Sequence, residues 1–197
     1  KEKDPNWWRV YGEGKIGNID GLVHANFELI DDIPDAGQVV YGLDWGYTND
    51  PTALIKNVFV GDNLYSKEMI YKSGLRNVDI IEAMKRIGIS KKDLIVADCA
   101  EKKSIDDLRY AGFNVVPCRK GADSIRNGIQ LVNQHRQHWT KDSLNCIKEQ
   151  RSYMYISDKD GKFTNVPIDK HNHGMDARRY AVDFYKNPRK IGSARIV

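Results

Sequence analysis

Apolar and polar positions take on a clear rhythm from Val39 onward. The run VVYGLDWG (39–46) reads as a strand, followed by PTALIKNVFV (51–60) and NLYSKEMIYK (63–72). GDN at 61–63 supplies a tight turn between the second and third, so the three predict an antiparallel meander. In NVDIIEAMKRIG (77–88) Val78, Ile81 and Met84 recur at helical spacing, with Ile80 and Ile87 as further candidates, and Gly88 suits a stop. DLIVAD (93–98) is a short continuous apolar run, the pattern of a buried parallel strand. The spacing then predicts a helix over 104–112, a strand over 113–118 and a longer helix over 123–137. A further helix over 143–153, a hairpin over 154–166 and a last helix within HNHGMDARRYAVDFY (171–185) complete the chain. A meander followed by alternating helix and strand predicts an α/β fold with a mixed sheet flanked by helices.

Residues 1–37 have no such rhythm. Trp7, Trp8 and Tyr11 precede the glycine-punctuated YGEGKIGNIDG, and the segment reads as a connector packing on a domain formed by 38–197. Gly12-Glu13-Gly14-Lys15 lacks the full spacing of a phosphate loop and its following Ser/Thr. The start KEKDPNWW has neither a methionine nor the shape of a signal peptide, and suggests a fragment or processed piece.

Composition narrows the picture a little. At 197 residues, 41% hydrophobic and 29% charged, the chain fits one globular domain with a sizeable core, and no apolar run is long enough for a bilayer. Cys99, Cys118 and Cys146 are odd in number and widely spaced, with no CxxC or His/Cys zinc spacing. Free thiols in a reducing cytoplasm are the simplest expectation. The net charge of +4 permits a polyanionic partner without arguing for one.

Three acids stand out. Alternation puts Val40, Gly42, Asp44 and Gly46 on one face of the first strand, and an acid flanked on its own face by glycines is unusual there. A solvated surface acid is one reading. The other is that the glycines clear space above the carboxylate for a ligand. Asp98 closes the run Leu94–Ala97 at the carboxyl end of a buried strand, where crevices open in α/β sheets, although it could also cap the next helix. Asp176 falls in the first turn of the last helix, where an acid favours the helix dipole without further function. Together the three could converge as hard oxygen ligands for Mg2+ or Mn2+.

These residues carry a resemblance. GLDWGYTNDPTALI, IVADCAEKKSIDDL and NHGMDARRYAV resemble, in order, the three acidic motifs of the nuclease domain of the large terminase subunit of tailed bacteriophages, a ribonuclease-H-like fold. PNWWRVYGEGKIGNIDGLV resembles the segment linking that family's ATPase domain to its nuclease. The resemblance implies a two-metal-ion endodeoxyribonuclease that cuts concatemeric double-stranded viral DNA during packaging, in the cytoplasm of the infected host. Asp44, Asp98 and Asp176 would hold two Mg2+ or Mn2+ ions, Asp50 would add a further acid, and His173 would join the catalytic set. Expected partners are duplex DNA, the ATPase domain of the same full-length chain, the small terminase subunit and the portal. No Walker loop is present, so the chain is expected not to hydrolyse ATP. The second motif carries Lys102 where proline is commoner, which leaves the proposed ligands untouched.

Other residues admit two readings. His173 could act chemically or merely sit near a helix cap. Arg119, Lys120, Arg126, Arg136, Lys141, Lys148 and Arg151 could form a solvated face or track DNA phosphates. Of Arg178 and Arg179, one is expected to approach the site and the other to face solvent. A resolvase or transposase of the same fold, or a DNA-binding module without catalysis, remain as alternatives. The hairpin is expected either to extend a sheet edge or to flank the cleft.

Overall fold

The structure, a computed structural model, describes residues 20–46 and 48–188. The expectations for Trp7, Trp8, Tyr11 and the 12–15 loop lie outside the described residues.

The meander forms as its pattern predicts. β2 (Gln38–Asp44), β3 (Pro51–Val60) and β4 (Asn63–Ser73) pair antiparallel, with Asp44 opposite Ala53 and Val60 opposite Asn63. Gly61, at φ +56°, supplies the left-handed backbone that the two-residue turn needs. β5 (Leu94–Ala97) lies parallel beside β2, and β6 (Asn114–Pro117) lies parallel outside β5. On the other flank, β7 (Arg136–Thr140) pairs parallel with β4, and β1 (Glu28–Ile30) pairs parallel with β7. The sheet therefore runs β1-β7-β4-β3-β2-β5-β6, and β3 alone opposes the other six strands. β8 (Tyr155–Ser157) and β9 (Phe163–Pro167) form a separate hairpin.

Two of these strands differ from the sequence reading. The helix expected over 123–137 ends at Asn133, and Arg136–Thr140 turns into a sheet strand. The segment RQHWT shows little hydrophobic signal because it buries polar side chains, held by hydrogen bonds at most of their polar atoms. Gln137 hydrogen-bonds Gln150, His138 bonds Asn63, and the Trp139 indole donates to Gln150 at 2.6 Å. β1 lies inside the stretch read as irregular. Three residues are too short to show a period.

Helices α1 (Asn77–Arg86) and α2 (Lys102–Tyr110) cover one face of the sheet. Their Ile80, Met84, Ile105 and Leu108 pack on Tyr41, Leu43, Leu54 and Ile95. Helices α3 (Ser124–Asn133), α4 (Leu144–Ser152) and α5 (His173–Lys186) lie on the other. α5 crosses β2 at Gly42, where an added Cβ would fall inside the main-chain carbonyl of Ala177. Among the described residues no helix is long and apolar enough to cross a membrane.

Candidate active site

Because six strands share one direction, the carboxyl ends of β2, β5 and β6 open onto the same edge of the sheet. Asp44 ends β2, Asp98 follows β5, and Asp176 lies in the first turn of α5, which is laid across β2. Asp44 is buried, not a solvated strand acid. Burial raises its pKa, hydrogen bonding from His173 opposes that rise, and the nearby charges of Asp176 and Asp98 add to it. The three carboxylates thus share one electrostatic environment, although they are borne by three elements far apart in sequence.

Each acid has a basic or hydroxyl partner. His173 Nδ1 lies 2.9 Å from Asp44 Oδ2, and the Tyr180 hydroxyl donates to Asp44 Oδ1 at 3.3 Å. The hydrogen bond to Asp44 raises the His173 pKa against the effect of partial burial. The other ring nitrogen of His173 is 3.7 Å from Asp50, an exposed acid in the loop after β2. Lys120 Nζ sits 2.7 Å from Asp98 Oδ1 and 2.9 Å from Oδ2, while Ala100 N donates to Oδ1 at 2.9 Å. Arg179 Nη2 lies 2.9 Å from Asp176. The carboxylates lean toward these partners and do not close into one tight cluster. The group of three possible ligands that does lie within 4.8 Å, among the described residues, is Asp98, Cys99 and Cys118.

Several expectations need correction. Gly42 and Gly46 do not clear space for a ligand: the main chain of Ala177 fills the first site and that of Asp50 the second. Neither arginine of the last helix faces solvent. Arg179 holds Asp176, and Arg178 is fully buried with its guanidinium 4.9 Å from the Trp139 ring. Burial pushes the Arg178 pKa down to about 9, which leaves it charged at neutral pH.

The basic residues are borne by several elements. Arg119 and Lys120 follow β6, and Lys120 pairs with Asp98. Lys141 follows β7 and pairs with Asp31 at 2.7 Å. Five strand steps separate β6 from β7, so these two groups sit about 24 Å apart along the same edge. Arg126, on α3, is 3.4 Å from Asp123. Lys148 and Arg151 lie on α4, with Arg151 over the Phe27 ring, and Arg136 begins β7. The hairpin is tied at its base, where Tyr155 N donates to Gly21 O and Ile168 N to Met154 O.

Glu149 escaped the sequence reading. It is a buried acid on α4 that accepts the Tyr71 hydroxyl at 2.6 Å and the main-chain N–H groups of Gly174 (2.7 Å) and Met175 (3.3 Å). It therefore caps the start of the helix that carries His173 and Asp176, where a carboxylate also complements the helix dipole. Its signal was faint but present: Glu149 falls three residues after Cys146, on the inward stripe of α4.

Comparison with known proteins agrees with this architecture. Residues 44–184 match the Terminase RNAseH like domain family. The chain is 30% identical over 155 residues to the terminase large subunit of Bacillus phage SPP1, covering 72% of this chain and 35% of that protein. It is 26% identical to the PBSX phage terminase large subunit of Bacillus subtilis (strain 168), covering 94% of this chain and 45% of that protein. The chain thus spans less than half the length of these relatives. Among solved structures, the large terminase nuclease domain of SPP1 with bound Mn superposes with a TM-score of 0.71 at 23% identity, over 83% of this chain and 97% of that one. A large terminase nuclease from a thermophilic phage, with bound magnesium, gives 0.63 at 14% identity, over 84% and 98%. With its ribonuclease-H-like fold and a family match across most of its length, this chain belongs to the terminase large subunit nuclease domain family.

Proposed function

We propose that the chain is a metal-dependent endonuclease that cuts double-stranded DNA, the concatemeric viral genome, during packaging in the cytoplasm of an infected bacterium. The observation that carries this reading is the buried Asp44, its pKa held up in part by Asp98 and Asp176 at the same sheet edge. The donor set suits a hard divalent cation: three carboxylates, with Asp50 at the rim, offer oxygen ligands. Two Mg2+ or Mn2+ ions held by Asp44, Asp98 and Asp176 would supply an activated water and neutralise the leaving oxygen of an in-line displacement, leaving a 3′-hydroxyl and a 5′-phosphate. The metals bound by the SPP1 and thermophilic-phage domains support that choice.

The chain's own residues have separate tasks. His173 and Tyr180 orient Asp44 through its two oxygens. Arg179 fixes Asp176. Lys120, within reach of Asp98, is placed to exchange that carboxylate for a DNA phosphate once a metal neutralises the acid. Arg119, Arg126, Lys141, Lys148 and Arg151 contribute affinity that depends on salt and not on base sequence. The ATPase domain of the full-length chain, the small subunit and the portal are the partners that the family resemblance implies.

Supercoiled plasmid incubated with EDTA, Mg2+ or Mn2+ tests the reading. Nicking and linearisation with either metal, and none in EDTA, are expected. Plasmid left intact under all three conditions by protein that still retains DNA would leave only a binding module, and a preference for branched over linear duplex would point to a resolvase.

A further inference from the structure

Beside the proposed hard-metal site lies a group of different chemistry. The register Ala97↔Pro117 brings the ends of β5 and β6 together, and Cys118 N donates to Ala97 O at 2.6 Å. Asp98 and Cys99 therefore emerge next to Cys118, and one ligand atom from each lies within 4.8 Å of the other two. All three cysteines are free. Sequence spacing conceals the pair, because nineteen positions (118 − 99) separate residues that the parallel strands set side by side.

We propose that Asp98, Cys99 and Cys118 form a site for a thiophilic divalent cation, Zn2+ by class, that shares Asp98 with the proposed nuclease centre. Two sulfurs and one oxygen leave the fourth tetrahedral position to water. With Zn–S bonds of about 2.3 Å the sulfurs would sit roughly 3.8 Å apart, so a shift of no more than about 1 Å brings them to that spacing. Mg2+ would not occupy this site, since a single carboxylate is its sole hard ligand, and it contends with Zn2+ only for the shared Asp98. The charges also balance. Two thiolates and a carboxylate carry three negative charges, and Zn2+ with the Lys120 ammonium beside Asp98 carries three positive ones. Both thiol protons pass to the buffer as the metal binds. A cation seated here draws the Asp98 carboxylate toward the cysteines, so Zn2+ should oppose cleavage. That consequence rests on the nuclease reading; the binding does not.

Cd2+ titration of the reduced chain, followed by its ultraviolet sulfur-to-metal charge-transfer band, reads the binding without DNA. One saturating site is expected. Cys99→Ser and Cys118→Ser should each weaken it at least about tenfold, and Cys146→Ala should leave it unchanged. The unaltered chain gives a second reading: Zn2+, but not Mg2+, should slow alkylation of Cys99 by iodoacetamide about tenfold or more. In Mn2+-driven plasmid nicking, added Zn2+ should inhibit the unaltered chain more strongly than Cys118→Ser. A band of unchanged amplitude and midpoint in both serine variants, or alkylation of Cys99 at the same rate with and without Zn2+, overturns the site. A chain that binds Cd2+ through both cysteines but cuts no DNA would retain the site and lose the nuclease reading.

Discussion

On one face of the central sheet Tyr41, Leu43, Leu54 and Ile95 meet Ile80 and Met84 of α1 and Ile105 and Leu108 of α2, a contact made by apolar side chains. On the other face the same strands turn Val40, Gly42 and Asp44 toward α5, and burial extends to Arg178, Arg179, Glu149, Gln150, Gln137 and His24. The first face gains stability from transfer of apolar surface, about 1.5–3 kcal/mol for each fully buried large side chain. The second gives up part of that gain, because each buried charge must be met by a partner before it stops costing. Tyr71, Gly174 and Met175 meet Glu149, and Asp176 meets Arg179; Arg178 is met only in part, by the Trp139 ring and the Met175 sulfur, with its Nε and Nη1 left without a hydrogen-bond partner among the described residues. One face holds the domain together, and the other holds acids where water would otherwise screen them.

The contrast predicts distinct outcomes for substitutions on the two faces. Asp44→Asn should produce the largest effect, lowering metal-dependent cleavage about a thousandfold by loss of several kcal/mol of metal stabilisation. Plasmid nicking at saturating Mn2+ measures it, and near-normal cutting would remove Asp44 from the ligand set. Gly42→Ala comes next. Its methyl group has nowhere to go but into the Ala177 main chain, so a loss of about 3 kcal/mol is expected by urea denaturation, with cleavage reduced alongside it.

His24 gives a smaller effect with a defined pH window. Burial, with the Arg178 charge second, lowers its pKa from 6.5 to about 3. Between those values the unfolded chain holds the proton and the folded chain does not, so stability rises with pH across that window and is lost as pH falls through it. His24→Gln should reduce this dependence by about 2 kcal/mol between pH 7 and about pH 5. Denaturant midpoints at both pH values check it, and an equally steep acid limb in the variant would place the proton elsewhere. The smallest effect belongs to the apolar face: Ile80→Val should cost about 1 kcal/mol of stability and leave cleavage unchanged. A selective loss of cleavage in folded Ile80→Val would show that the two faces are not separable.

The two faces were also unequally legible in the sequence. Met84, Leu94–Ala97 and the β2–β4 meander follow from apolar period, whereas Ile80 was only a further candidate and Val78, chosen ahead of it, proves exposed. The acids Asp44, Asp98 and Asp176 stood out as charges at strand ends and a helix start. Their partners stood out unevenly. His173 was singled out and one of Arg178 and Arg179 was expected near the site, but Lys120 read as a DNA contact, and Tyr180 and Glu149 drew no notice, since a satisfied buried charge carries no period of its own. β7 was hidden for the same reason, its Gln137, His138 and Trp139 being buried through hydrogen bonds that only the fold supplies. Gly42 was noticed, but its sequence context could not distinguish room for a ligand from room for a helix.

That last point bears on how such a site tolerates change. Where α5 crosses β2 at Gly42, main chain rests on main chain, and no side chain lies between the two elements to be exchanged for a larger or smaller one. The separation between the strand bearing Asp44 and the helix bearing Asp176 is therefore a property of the backbone, with no rotamer to vary it. Core residues elsewhere can drift through generations of substitution while this gauge stays fixed. A designer who wished to retune the distance between those two acids would have to move a helix, starting from the one position in β2 that has no side chain to alter.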